Sequence, residues 1–257
     1  MHKGLDTCAR LTADNAARAR AAGLDFVGRY LVPESYAKAL TAAEARIIHE
    51  AGLAILLCWE TTAAAIRQGA ARGAADGAWA RQIAQSMGVP AGTIIFFAAD
   101  YDAPVSDYAD IKAYLANAQL ALGPYRAGLY GQYSLVDAIG GPAWQCVAWS
   151  GGLWSEAAQW RQRLGDQAPA SRELAKQTGI MAVDVCEADT LDGLWQPTPR
   201  KHWYDAVMVW ARDNGLMDGT RPEDAATRAE VAQMFYNLAR NWEPEDDKRF
   251  SGLLEDG

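Results

Sequence analysis

The sequence predicts an α/β protein: a (β/α)8 TIM barrel followed by a small α-helical hairpin module. Three observations point there. From residue 1 to about 186, short apolar runs alternate with longer Ala-rich stretches of helical spacing, the pattern of repeated βα units around a parallel sheet. AILLCW at 54–59 and IIFFAA at 94–99 are apolar without alternation, as strands covered on both faces are. Glycine stands just past four helical stretches, at Gly23, Gly52, Gly88 and Gly123, where a left-handed cap ends a helix.

In chain order, the predicted strands are 3–6, 26–31, 54–59, 93–99, 127–130, 146–149 and 181–185, and a weak one at 174–177 is placed because a closed barrel needs it. The helices between them are expected at 13–22, 42–51, 71–87, 107–122, 135–139 and 156–164. After Asp189, TLDGLWQPTPRK carries two prolines and breaks the pattern. The expected organisation is therefore a barrel over 1–195, a linker at 196–201, a helical module at 202–240 and a flexible acidic tail at 241–257.

The chain has 257 residues, 50% of them hydrophobic and 22% charged, ample for one large core. Its formal charge of -8 is not offset by any basic stripe, which argues against nucleic acid, whose phosphates supply most of the affinity of such complexes. Cys8, Cys58, Cys146 and Cys186 are far apart and form no CxxC, so they read as reduced, mostly buried thiols. His2, His49 and His202 have no metal-ligand spacing, and neither a metal nor a cofactor is expected. No run is long enough to span a membrane. The N-terminus enters a strand at once and reads as lacking a signal peptide; the expectation is synthesis in the cytoplasm.

In such barrels the chemistry sits at the C-terminal ends of the strands. Asp6 ends the first run, Glu60 the third, Asp100 and Asp102 follow the fourth, and Asp184 lies near the end of the last. Carboxylates converging on one mouth repel one another and are poorly solvated, which raises some of their pKa values and keeps a general acid protonated. The i, i+2 spacing of Asp100 and Asp102 predicts that both face the same side of an extended strand. Two carboxyl groups flanking a bond are the usual apparatus of glycoside hydrolysis. Arg29, Tyr30, Trp59, Tyr101, Tyr130 and Trp149 lie near the same strand ends, where aromatic rings can stack on sugar faces. Each also has a plain packing role open to it, and Arg29 an ion-pair role.

GLD at 4–6, FVGRYL at 26–31, FFAADYD at 96–102, AGLYG at 127–131 and VDVCEAD at 183–189 together resemble a glycoside-hydrolase-like TIM-barrel family related to the family 25 lysozymes, which cleave the glycan strands of peptidoglycan. The resemblance covers roughly 1–195. It implies that Asp6, Asp100 and Asp184 match strand-end aspartates of those enzymes and that Asp102 stands where they carry the glutamate general acid. Their Asp-x-Glu is Asp-Tyr-Asp here, one methylene shorter, and a reach error near 1 Å can cost about a hundredfold in rate. Glu60 is the alternative acid.

HWYDAVMVWARDNGLMDG at 202–219 and TRAEVAQMFYNLAR at 227–240 resemble an S-layer homology repeat, a wall-polymer-binding unit. Thr227 and Glu230 suit a capping box, leaving Arg228 as the group for an acidic polymer. One repeat buries little core alone, so docking or self-association through this module is expected. Together these features imply a peptidoglycan-directed muramidase of phage or prophage endolysin type, acting at the cell wall after release, with peptidoglycan or a secondary wall polymer as its partner. The alternative is a non-catalytic glycan-binding barrel.

Overall fold

In the computed structural model, described for residues 1–197, eight strands close into one barrel in chain order. They are β1 (His2–Asp6), β2 (Phe26–Tyr30), β3 (Ala54–Trp59), β4 (Ile94–Ala98), β5 (Arg126–Gly131), β6 (Ala143–Cys146), β7 (Ala158–Leu164) and β8 (Asp184–Ala188). Six α-helices connect them: α1 (Ala13–Ala21), α2 (Ala42–Glu50), α3 (Gly69–Ser86), α4 (Tyr108–Leu122), α5 (Tyr133–Ile139) and α6 (Pro169–Thr178). Neighbours from β1 to β7 are parallel, but β8 runs antiparallel to both β7 and β1. The barrel is thus closed by a reversed strand, which corrects the all-parallel expectation. The helical module at 202–240, the tail and most of the linker lie outside the described residues.

Local signals set the helix ends. Thr12 caps α1 by accepting from the Asn15 N–H, while the Asn15 side chain accepts from the Thr12 N–H at 2.7 Å, a reciprocal capping box. Thr41 caps α2 in the same way from the Glu44 N–H at 3.2 Å. The four glycines expected beyond helix ends all have positive φ.

Three expected elements are different. Residues 156–164 are not a helix but contain β7; 174–177 are not a strand but part of α6; and the sixth strand precedes 146–149 rather than occupying it. Ala, Gln and Arg favour a helix in isolation, but pairing with β6 and β8 overrides that weak preference.

The core has two layers. Inside the barrel, Phe26, Leu56, Phe96, Trp144 and Trp160 pack with Cys58, Cys146 and Cys186. Glycines on adjacent strands make room for them: a Cβ on Gly4 would stand 2.5 Å from the Phe26 ring, its register partner, and one on Gly128 would stand 2.6 Å from Phe96. Outside, Val27, Ile55, Leu57, Ile95 and Phe97 meet the helices.

After β8 the chain closes the barrel's lower end. The Ile94 N–H donates to Gly193 O at 2.7 Å, and Ile55 and Trp195 exchange two backbone hydrogen bonds of 2.9 Å. Leu194 joins the interior cluster. The break in pattern after Asp189 is therefore a plug beneath the strands, and among the described residues the open end is the one at the C-termini of β1–β7.

Candidate active site

The geometry of the mouth follows from strand direction. Asp6 is the last residue of β1. Asp184 is the first residue of β8, and because that strand is reversed it stands directly opposite Asp6 in register. Gln162, an inward residue of β7, reaches both: its Nε2 donates to Asp6 Oδ2 and to Asp184 Oδ2, each at 3.0 Å. Its Oε1 accepts from the Tyr130 hydroxyl at 3.1 Å. The Cys186 thiol donates to Asp6 Oδ2 at 3.2 Å.

Burial is the main cause that raises Asp6 to about 6, against the hydrogen bonds of Gln162 and Cys186 and with the charge of Asp100 adding to it. Burial likewise leads at Asp184, with the charges of Asp6, Asp166 and Asp100 behind it, and lifts it to about 8. The pair therefore keeps a proton at neutral pH. Asp6 is 4% exposed and Asp184 half-buried, so Asp184 is the member open to the mouth.

Across from this pair stand Asp100 and Glu60. Asp100 is raised by burial, with the Lys38 charge opposing. Glu60 is raised by burial, opposed by its hydrogen bond to and the charge of Lys38. Lys38 Nζ lies 2.9 Å from Glu60 Oε2 and 4.2 Å over the Tyr30 ring, so an ammonium limits how far burial raises the two carboxyl groups on this side.

The other expected residues divide. β4 ends at Ala98, so the alternation that was to align Asp100 with Asp102 has already stopped; Asp102 is exposed on the following loop. Tyr101 is half-buried and donates to Asp107 Oδ2 at 2.8 Å. Tyr30 and Tyr130 flank the inward cluster. Arg29 and Trp59 do not line the mouth. Arg29 is fully buried on the outer side of β2 and grips Glu44 of α2 at 2.7 and 3.2 Å. Trp59 packs between barrel and helices against Phe97.

Trp149 is 47% exposed beyond β6 and has φ 54, a strained value for a bulky residue. Its loop is held by Ser150, whose Oγ donates to Cys146 O at 2.7 Å and accepts from the Tyr133 N–H at 2.9 Å. Sequence reasoning missed Gln162 and Lys38. Gln162 was legible only through the inward parity of a strand that was read as a helix, and Lys38 is one lysine in a loop. Arg228 lies outside the described residues. Among the described residues, no group of His, Cys, Asp and Glu is arranged to hold a metal ion.

A family model described as Rv2525c-like, glycoside hydrolase-like domain matches residues 17–237. Among solved structures, the Tat-secreted protein Rv2525c of Mycobacterium tuberculosis in complex with L-tartrate is 22% identical, with a TM-score of 0.61 over 76% of this chain and 98% of that one. Its complex with HEPES gives 23% identity, a TM-score of 0.61 and the same coverage. An uncharacterized B. stearothermophilus protein is 21% identical, with a TM-score of 0.54 over 76% of this chain and all of that one. At these identities the likeness to solved structures shows the fold alone. No curated protein matches the chain. Nothing in these comparisons supports a separate S-layer homology repeat, and the family match itself extends over most of the segment assigned to one.

Proposed function

Because the chain belongs to the Rv2525c-like family of glycoside-hydrolase-like domains, we propose that its barrel mouth acts on glycans by hydrolysing glycosidic bonds, with peptidoglycan as the substrate. The observation that carries the reading is a proton held on one wall of the mouth and an ammonium that favours carboxylate on the other. Burial raises all four carboxyl groups, but only on the Glu60 and Asp100 side does a lysine oppose it, and such a difference in surroundings is what assigns the acid and its counterpart.

Asp6 and Asp184 act as one unit. Both Oδ2 atoms lie 3.0 Å from the same Gln162 nitrogen, so they are separated by no more than twice that distance. That is short of the roughly 6.5–9.5 Å that leaves room for a water in inverting glycosidases. Asp184 donates the proton to the leaving glycosidic oxygen; Asp100, across the mouth, stabilises or captures the sugar cation that develops; water completes the hydrolysis and Asp184 regains its proton. Trp149, fixed and partly in solvent, offers a face for a sugar ring.

In its finer form the proposal is a muramidase that works outside the cytoplasm in the manner of an endolysin. It has residues 202–240 as the wall-binding segment, a route to self-association, and Arg228 as that segment's polymer ligand. That the mycobacterial relative is Tat-secreted favours an extracytoplasmic site of action. Arg228→Ala should reduce co-sedimentation with intact sacculi and leave turnover of soluble fragments unchanged, since tethering matters only for insoluble substrate.

The exposure of Asp102 favours a second reading. The position that the lysozyme resemblance gives to the general acid meets water rather than the carboxyl cluster, as in a barrel that binds glycan without cutting it. Digestion of purified peptidoglycan followed by mass spectrometry of the products separates the two. New reducing ends on muramic acid support hydrolysis; intact glycan with the protein retained on it supports binding alone.

A further inference from the structure

We infer that Gln162 is a positioning residue that joins Asp6 and Asp184 into one proton-holding unit and leaves only Asp184 facing substrate. Every polar atom of its amide is committed. Nε2 has two hydrogens and two carboxyl acceptors at 3.0 Å, and Oε1 accepts the Tyr130 hydroxyl. The side chain is buried, so it has no donor left for a ligand and acts through its neighbours.

Tyr130 fixes which way the amide points. Reversed, Oε1 would face two carboxyl oxygens with one proton between them, so at least one contact would set acceptor against acceptor. With the phenol donating to Oε1, the N–H side is held toward the acids. Asp6 is further enclosed by the Cys186 thiol from β8, whose backbone pairs with Gln162 in register. Substrate therefore meets Asp184 while Asp6 stays behind it.

An amide N–H stabilises a carboxylate more than a carboxylic acid, so Gln162 also sets how firmly the pair holds its proton. Losing it should make the pair give up the proton at higher pH. The inference draws on the hydrolytic reading only for the word substrate, and its test needs no turnover.

The test is infrared difference spectroscopy on the full chain, following the carbonyl band of a protonated carboxylic acid from pH 5 to 10 and assigning it with Asp184→Asn. In the parent, the band should disappear as pH rises through about 8. In Gln162→Leu, the loss should move up by about one pH unit. Tyr130→Phe, which removes a single oxygen and frees the amide to turn, should move it the same way by less. A titration that coincides with the parent's in folded Gln162→Leu overturns the inference; if that variant does not fold, an unmoved titration in Tyr130→Phe does so. A shifted titration in a protein that never cleaves glycan upholds the role of Gln162 and removes the hydrolytic reading instead.

Discussion

The wall made by β3 and β4 and the wall made by β7 and β8 close the same barrel with opposite surface chemistry. Every residue of AILLCW and IIFFA is buried, one side against the barrel interior and the other against helices. In β7 burial alternates: Ala158, Trp160 and Gln162 are buried, while Gln159 is exposed and Arg161 and Arg163 are partly so. Outside, Arg161 pairs with Asp189 through two bonds of 2.8 and 2.7 Å, and Arg163 stands 3.4 Å from Glu187 and 4.5 Å from the Trp154 ring. A wall with one solvated face can run antiparallel. That freedom lets β8 enter from the mouth, so Asp184 opens its strand instead of closing it.

The largest expected difference between the walls lies in their ion pairs. Arg29→Met leaves Glu44 of the covered side buried without its guanidinium and should cost about 3–5 kcal/mol in urea unfolding. Next comes the α3–α4 contact outside the same wall, where a Cβ on Gly73 would stand 2.1 Å from Tyr114 O. Gly73→Ala should cost about 1–3 kcal/mol as the helices part.

A smaller effect, and one of sign, belongs to the reversed strand. The folded pair keeps a proton that unfolded carboxyls release, so its contribution to stability is fully present below the ordinary carboxylate range and is lost as pH rises to about 8. Asp184→Asn should flatten that decline, and its melting temperature should exceed the parent's most clearly above pH 8. An identical slope in both proteins would remove the shared proton from the account. Smallest of all, Arg161→Ala on the solvated wall should cost less than about 1 kcal/mol; a loss as large as that of Arg29→Met would mean that this face is not a solvated one.

The contrast also explains what the sequence disclosed. Unbroken apolar runs and glycine-ended helices made β1 to β4 and α1 to α4 legible close to their true bounds, and Asp6, Glu60 and Asp100 reach the mouth from those strand ends. Where a strand is buried on both sides, however, parity is invisible. Nothing in FVGRY tells that Phe26 and Tyr30 point in while Arg29 points to Glu44. In β7 the alternation was present but masked by helix-favouring Ala, Gln and Arg, and Gln162 was lost with it. Asp102 was misplaced because a strand's alternation was carried past the strand's end.

We propose that the proton held at Asp184 is the one delivered to the glycan. The most direct measurement is the pH dependence of reducing-end release from purified peptidoglycan by the parent chain, Asp184→Asn and Asp102→Asn. Release by the parent should fall as pH rises through about 8, Asp184→Asn should lower it about 10²- to 10⁴-fold below that pH and by less above it, and Asp102→Asn should stay within a few-fold of the parent, about 1 kcal/mol in barrier. Undiminished release by Asp184→Asn, or loss confined to Asp102→Asn, would contradict it.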